Sequence, residues 1–289
     1  MSRYHIRTLH TPEEFADVLR FSAHMAIQQE PYRTCMPGDL AWWRSATPDD
    51  SGLAQLQVWL RDNTIVAWTW QNDDQIDSVI DSSDPHLWPS LVEYVAAQPQ
   101  PVALWAYDQQ PQRTTVLAAH GFVACDRTLN LNEIHTTQAP IHAMPQGWHV
   151  ETLQIADTHS RVTAQHTAFQ STKMTAARYD FMRQHPGYTP AWDMVAKHVD
   201  GDIDAFCTVW VDTWSGYALF EPVGCRQMHQ RKGITRGLIS ATLQRLADAG
   251  IRMASVMSDG YDNNPAQHLY VACGFRWVDK LRMWRRAGQ

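Results

Sequence analysis

The chain has 289 residues, 24 Lys and Arg against 30 Asp and Glu, and a formal net charge of -6 at pH 7. That length is worth roughly two domains, the 44% hydrophobic and 19% charged residues are an ordinary globular composition, and the acidic balance argues against a general nucleic-acid binder, which needs a basic face. Five scattered cysteines, odd in number and without a Cys-x-x-Cys pair, exclude a disulfide framework or zinc site.

The opening Met-Ser-Arg-Tyr-His-Ile-Arg lacks the apolar core of a signal peptide, and no apolar run reaches membrane length. The expectation is a cytoplasmic protein without a membrane partner. Tyr4 to Leu9 reads as a strand, and Thr11-Pro-Glu-Glu as a helix start leading to Phe15, Val18, Leu19 and Phe21. Leu53 to Leu60 and Thr64 to Trp70 read as antiparallel strands joined at Asp62-Asn63. A strand at Ile76 to Ile80 leads into an amphipathic helix, Leu87 to Ala97, through Asp81-Ser-Ser-Asp-Pro-His, a turn with two carboxylates and no glycine. Val102 to Tyr107 reads as a buried strand, followed by a helix ending in Leu117-Ala-Ala-His-Gly-Phe122 and a strand at Ala124 to Leu131. Thr136 to Gly147, with Pro140, Pro145 and Gly147, reads as a linker.

The second half opens with a strand, Trp148 to Leu153, and a helix through Val162, His166 and Phe169. Thr172 to Pro190 is a mixed stretch, and Asp204 to Val211 with Tyr217 to Val223 forms a hairpin around Thr213-Trp-Ser-Gly216. Pro222 removes a ladder donor, so this last strand is expected to bulge or part from a neighbour there. A basic turn follows, and then a helix with apolar residues at Ile234, Leu238, Ile239, Leu243 and Leu246. Gly233 sits where the chain bends into that helix, leaving backbone N–H groups around Arg231 to Thr235 without carbonyl partners. Arg226, Arg231, Lys232 and Arg236 add charge, and the helix dipole adds its positive end. The expected ligand is a phosphate or diphosphate. No Gly-x4-Gly-Lys-Ser/Thr and no Gly-x-Gly-x-x-Gly occurs, so neither a P-loop nor a dinucleotide fingerprint is present.

The turn reads Gln230-Arg231-Lys232-Gly233-Ile234-Thr235 and resembles the Gln/Arg-x-x-Gly-x-Gly/Ala motif of the GNAT acyltransferase superfamily, departing at Thr235. A second stretch, after a strand-like Met253 to Met257, is similar to that family's Asn-x-x-Ala-x-x-Leu-Tyr-x-x-x-Gly-Phe pattern: it ends in Leu269-Tyr270 and Gly274-Phe275. There Asn264 is a natural N-cap and Pro265 a natural first helical residue. The resemblance covers Trp148 to Arg286. It implies acetyl-CoA as cofactor, with the pantetheine arm on Val223, Gly224 and Cys225. The diphosphate would lie on the turn from Gln230 to Arg236 (Gln230, Arg231, Lys232, Gly233, Ile234, Thr235, Arg236), and Asn263 would contact or orient the cofactor.

Gly121-Phe122 echoes Gly274-Phe275 about half a chain away, and the order of elements repeats with it. The expected fold is therefore α/β (α+β): two GNAT-like domains in tandem, each a mixed, mostly antiparallel sheet flanked by helices, over residues 1–140 and 146–289. The acidic turn of the first copy repels a diphosphate, so the second copy is expected to hold the cofactor site.

Acyl transfer from a thioester needs a neutral amine, whose conjugate acid has a pKa of about 10.4, and a proton for a thiolate whose thiol has a pKa of about 8.5. Tyr270 lies where the family carries the acid, the alternative being a core aromatic beside Leu269. Glu221, on the strand beside the expected thioester, is the candidate base, the alternative being a strand glutamate paired with an arginine. The expected activity is an acetyl-CoA-dependent N-acetyltransferase acting on a small-molecule amine. The other readings are a non-catalytic acyl-CoA-binding sensor or scaffold, and a mycothiol synthase-like acetyltransferase, to which the tandem layout is similar.

Overall fold

The computed structural model describes residues 3–286 apart from 10, 46–49 and 101. The first half contains β1 (His5–Thr8), α1 (Pro12–Gln28), α2 (Pro37–Arg44), β2 (Leu56–Arg61), β3 (Thr64–Asn72) and β4 (Gln75–Ile80), then α3 (Leu87–Ala96), β5 (Ala103–Tyr107), α4 (Pro111–Ala119) and β6 (Phe122–His135). The second repeats the order with β7 (Trp148–Thr152), α5 (Thr158–Phe169), α6 (Ala176–Met182), β8 (Asp193–His198), β9 (Ile203–Asp212) and β10 (Tyr217–Cys225), then α7 (Ile234–Asp248), β11 (Met253–Asp259), α8 (Pro265–Ala272) and β12 (Arg276–Arg286). Local chemistry sets several boundaries. Thr11 and Glu14 form a capping box at α1, Asp62 and Asn63 both take positive φ in the β2–β3 turn, and the Asn264 side chain accepts from Ala266 N at 2.9 Å to cap α8. The sequence reading did not anticipate α2, α6, β8 or β12.

The strands form one 12-stranded sheet in the order β1-β2-β3-β4-β5-β12-β6-β11-β10-β9-β8-β7. Its centre is interleaved. β12, the last strand of the second half, lies between β5 and β6 of the first, and β6, the last of the first half, lies between β12 and β11 of the second. Each half thus borrows the strand that closes its own sheet, and the backbone donors of β6 and β12 find their partners across the repeat.

Two further features tie the halves together. The chain leaving α1 carries Arg33 across the sheet, where its buried guanidinium pairs with Glu133, donates to the Tyr217 hydroxyl at 2.6 Å and lies 4.0 Å from that ring's centre. The linker from residue 139 to 147 straps α7: Ser240 Oγ donates to Pro140 O at 3.0 Å and accepts from His142 N at 2.8 Å. At Gly237 a Cβ would stand 3.1 Å from Met144 Cα, so a larger residue would push the strap outward by a few tenths of an ångström. Beneath the strap, the five apolar residues expected on α7 are all buried, each contributing about 1.5–3 kcal/mol relative to exposure.

Candidate active site

The site begins where β10 and β11 part. They pair in parallel only over Tyr217↔Met253, Ala218↔Ala254 and Leu219↔Ser255. Beyond that point β10 keeps its other neighbour, β9, with a register shift between Phe220 and Val223. This is the irregularity expected at Pro222. Val223, Gly224 and Cys225 lie on the splayed segment, and a Cβ at Gly224 would meet Phe206 at 2.4 Å, so glycine is needed for β9 and β10 to stay packed there.

The turn follows directly. Gly233 is the N-cap residue of α7 with φ 84°, a left-handed conformation that glycine adopts without penalty. Arg231, also left-handed at φ 65°, tightens the preceding bend. Among the described residues, the backbone N–H groups of residues 231 to 236 find no acceptor in the protein. Arg231, Lys232 and Arg236 are exposed and make no ion pair among the described residues. Arg226 does not share in this free charge, because it lies 3.5 Å from Asp202 and 3.7 Å from Asp204. Thr235 stands beside the Cys225 thiol, which burial raises and this contact lowers. Aligned donors at a helix N-terminus with three cations that have no carboxylate partner among the described residues suit a diphosphate, so the residues present fit the coenzyme A expected here. Asn263 is exposed, with φ 57°, in the bend ahead of α8.

The two candidate acid–base residues lie within electrostatic reach of each other. Burial pushes the Glu221 carboxyl up to about 7, and among the described residues it has no arginine partner, so the ion-pair reading of this glutamate does not apply. The indole of Trp210 holds its carbonyl oxygen at 2.6 Å. Tyr270, on α8, is 5% exposed and packs against Phe275. Burial, and then the charge of Glu221, raises its pKa well above that of a free phenol. Its hydroxyl donates to no protein group among the described residues, unlike Tyr179, which bonds Asp193 at 2.6 Å. His229 sits against Asp204 and Trp148, and His268 is exposed. Among the described residues no cluster of three or more metal-ligand side chains occurs, and no helix is long and apolar enough to cross a membrane.

Sequence reasoning missed Asp39. It comes from α2 in the first half, a short helix of low amphipathicity whose place on β9 and β10 is set only by the tertiary fold. Burial first, then the charge of Glu221, pushes its carboxyl up to about 8.

Residues 155–275 match the model of the Acetyltransferase (GNAT) family. No curated protein matches the sequence. Among solved structures, a GCN5-related N-acetyltransferase from Sphaerobacter thermophilus is 18% identical, with a TM-score of 0.65 over 99% of this chain and 96% of that one. A tandem GNAT protein from the clavulanic acid biosynthesis pathway is 14% identical, with a TM-score of 0.65 over 98% of each chain. A GNAT-family acetyltransferase from Colwellia psychrerythraea is 10% identical, with a TM-score of 0.67 over 98% and 99%. At these identities the likeness is one of fold. Residues 155–275 are thus similar to the acetyltransferase (GNAT) family, and the chain as a whole has a tandem GNAT fold.

Proposed function

We propose that the chain is an acetyl-CoA-dependent N-acetyltransferase that moves an acetyl group to a primary amine of a small molecule, using the site in its second half. The observation that carries this reading is the unpaired row of N–H groups at residues 231 to 236, beside a strand that parts from its neighbour at Leu219 and next to two raised acid–base groups. Acetyl-CoA supplies the thioester. The turn from Gln230 to Arg236 holds the diphosphate, and the edge of Val223 to Cys225 left open by β11 lies along the pantetheine, with Asn263 beside it.

Glu221 takes a proton from the amine, and a carboxyl with a pKa near neutrality is matched to that task. Tyr270 stays protonated at neutral pH and delivers its proton to the departing sulfur; the second proton lost by the amine nitrogen restores it. Cys225 takes no covalent part, because burial raises its thiol and leaves little thiolate.

The test is thiol release from acetyl-CoA with a panel of amines, together with native mass spectrometry for a coenzyme A mass shift. Tyr270→Phe and Glu221→Gln are each expected to lower kcat by roughly 10²–10⁴-fold, with the mass shift retained. A wild-type chain that binds coenzyme A without releasing thiol from any amine is instead a sensor.

A further inference from the structure

The first half places α2 at the mouth of the splay. Met36, its N-cap residue, is buried among second-half side chains, and its sulfur accepts from Ser255 Oγ at 3.3 Å. Ser255 is the β11 residue paired with Leu219, the last rung before the strands part. A Cβ at Gly38 would lie 2.4 Å from Trp210 Cβ and 3.1 Å from Leu219 Cδ2. The same Trp210 holds the Glu221 carbonyl. Asp39 follows Gly38, and its Oδ2 accepts from Met36 N at 2.8 Å. No basic side chain among the described residues pairs with either Asp39 or Glu221.

We propose that Asp39 faces Glu221 across the acyl-transfer cleft, and that the two carboxylates together bind the acceptor as an alkylammonium cation. This rests on the acyl-transfer reading above and narrows its substrate class from amines in general to those charged at neutral pH. Two half-buried carboxylates close together without a cation repel each other, and a primary ammonium, with three donors, supplies the charge that the protein does not. The ammonium donates to both; Glu221 takes one proton, the neutral amine attacks, and Asp39 keeps its negative charge throughout. Asp39 is then a positioning residue for the acceptor, and the half without a cofactor site completes the site of the other. Asp77 on β4 also bears on Asp39, and Tyr270 on Glu221, so the apparent titration belongs to the group.

Asp39→Asn keeps the volume and an oxygen to accept from Met36 N, and removes only the charge. With a turned-over alkylamine the variant is expected to raise KM by roughly tenfold to a hundredfold, the loss of a hydrogen bond to a charged group, and to leave KM for aniline, neutral at pH 7, unchanged. A readout without acetyl-CoA is thermal melting. The Asp39 pKa is raised on folding, so its contribution is most favourable below the unfolded value of about 4 and is lost as pH rises to about 8. The variant is therefore expected to melt with the wild type at pH 4 and above it at pH 9. Hexylammonium, but not 1-hexanol, is expected to raise the wild-type Tm, and to raise that of the variant less. Equal shifts from both additives, or a variant less stable at every pH, overturn the inference and return Asp39 to helix capping. If Glu221→Gln still abolishes thiol release while Asp39→Asn does not change amine preference, this inference fails and the acyl-transfer reading stands.

Discussion

The two strand–turn–helix units of the repeat, β4 into α3 and β10 into α7, place opposite charges in the turn ahead of the helix. In the first, the protein supplies its own anions. Asp81 Oδ1 accepts from Ser83 N at 2.9 Å and Asp84 Oδ1 from His86 N at 3.0 Å. The other Asp84 oxygen accepts from the Tyr4 hydroxyl at 2.8 Å and from Arg61 at 2.6 Å. In the second, residues 231 to 236 keep their N–H groups free among three exposed cations. The difference teaches that neither helix start has a side-chain cap, so it is the sign of the charge in the turn, and whether that turn's own donors are taken, that separates a closed turn from one suited to an anion.

The comparison also has a limit, because the halves are not independent copies. Since β6 lies between β12 and β11, removing residues 1–140 strips both neighbours of that strand. The isolated segment 146–289 is expected to give no cooperative thermal transition and no turnover; a well-folded, active fragment would show that the interleaving is dispensable.

A smaller effect tests the anions themselves. Thr235→Asp places a carboxylate in the second turn, as the first turn already has. Coenzyme A affinity, read by titration calorimetry, is expected to fall roughly tenfold to a hundredfold through like-charge repulsion, with Tm held, because an acidic residue suits the first turn of a helix. Undiminished affinity would move the diphosphate elsewhere.

The pH profile tests whether the second unit is poised for chemistry. With Glu221 at about 7 and Asp39 at about 8 titrating as a group, kcat/KM is expected to fall as pH drops below about 8 and more steeply below about 7, because the protonated Glu221 carboxyl accepts no proton. Glu221→Gln should leave only the shallower part of that limb. The smallest effect belongs to the closed unit. Asp81→Ala is expected to cost about 0.5–1.5 kcal/mol in denaturant unfolding, the worth of the turn hydrogen bond that Asp81 accepts from Ser83, and to leave thiol release unchanged.

Much of this was legible from residue order. The turn at Gly233, the N-cap at Asn264, the apolar face of α7 and the irregularity at Pro222 are local features, each fixed by one to four residues acting on their own backbone. Glu221 is a candidate because it adjoins such a feature, and Tyr270 because it falls in the stretch that resembles the family's pattern. The short α2, with two tryptophans and little periodicity, gave no such mark, and neither did β12, whose burial alternates only in its later part.

What the sequence determined by itself is most of the elements and the opposite charge of the two turns, because backbone conformation and nearby charge are short-range properties. What the tertiary structure alone decided is which strands close the sheet and where α2 lies against β9 and β10. Those depend on contacts between residues as far apart as Met36 and Ser255, which form only when burial of the whole sheet brings the two halves together.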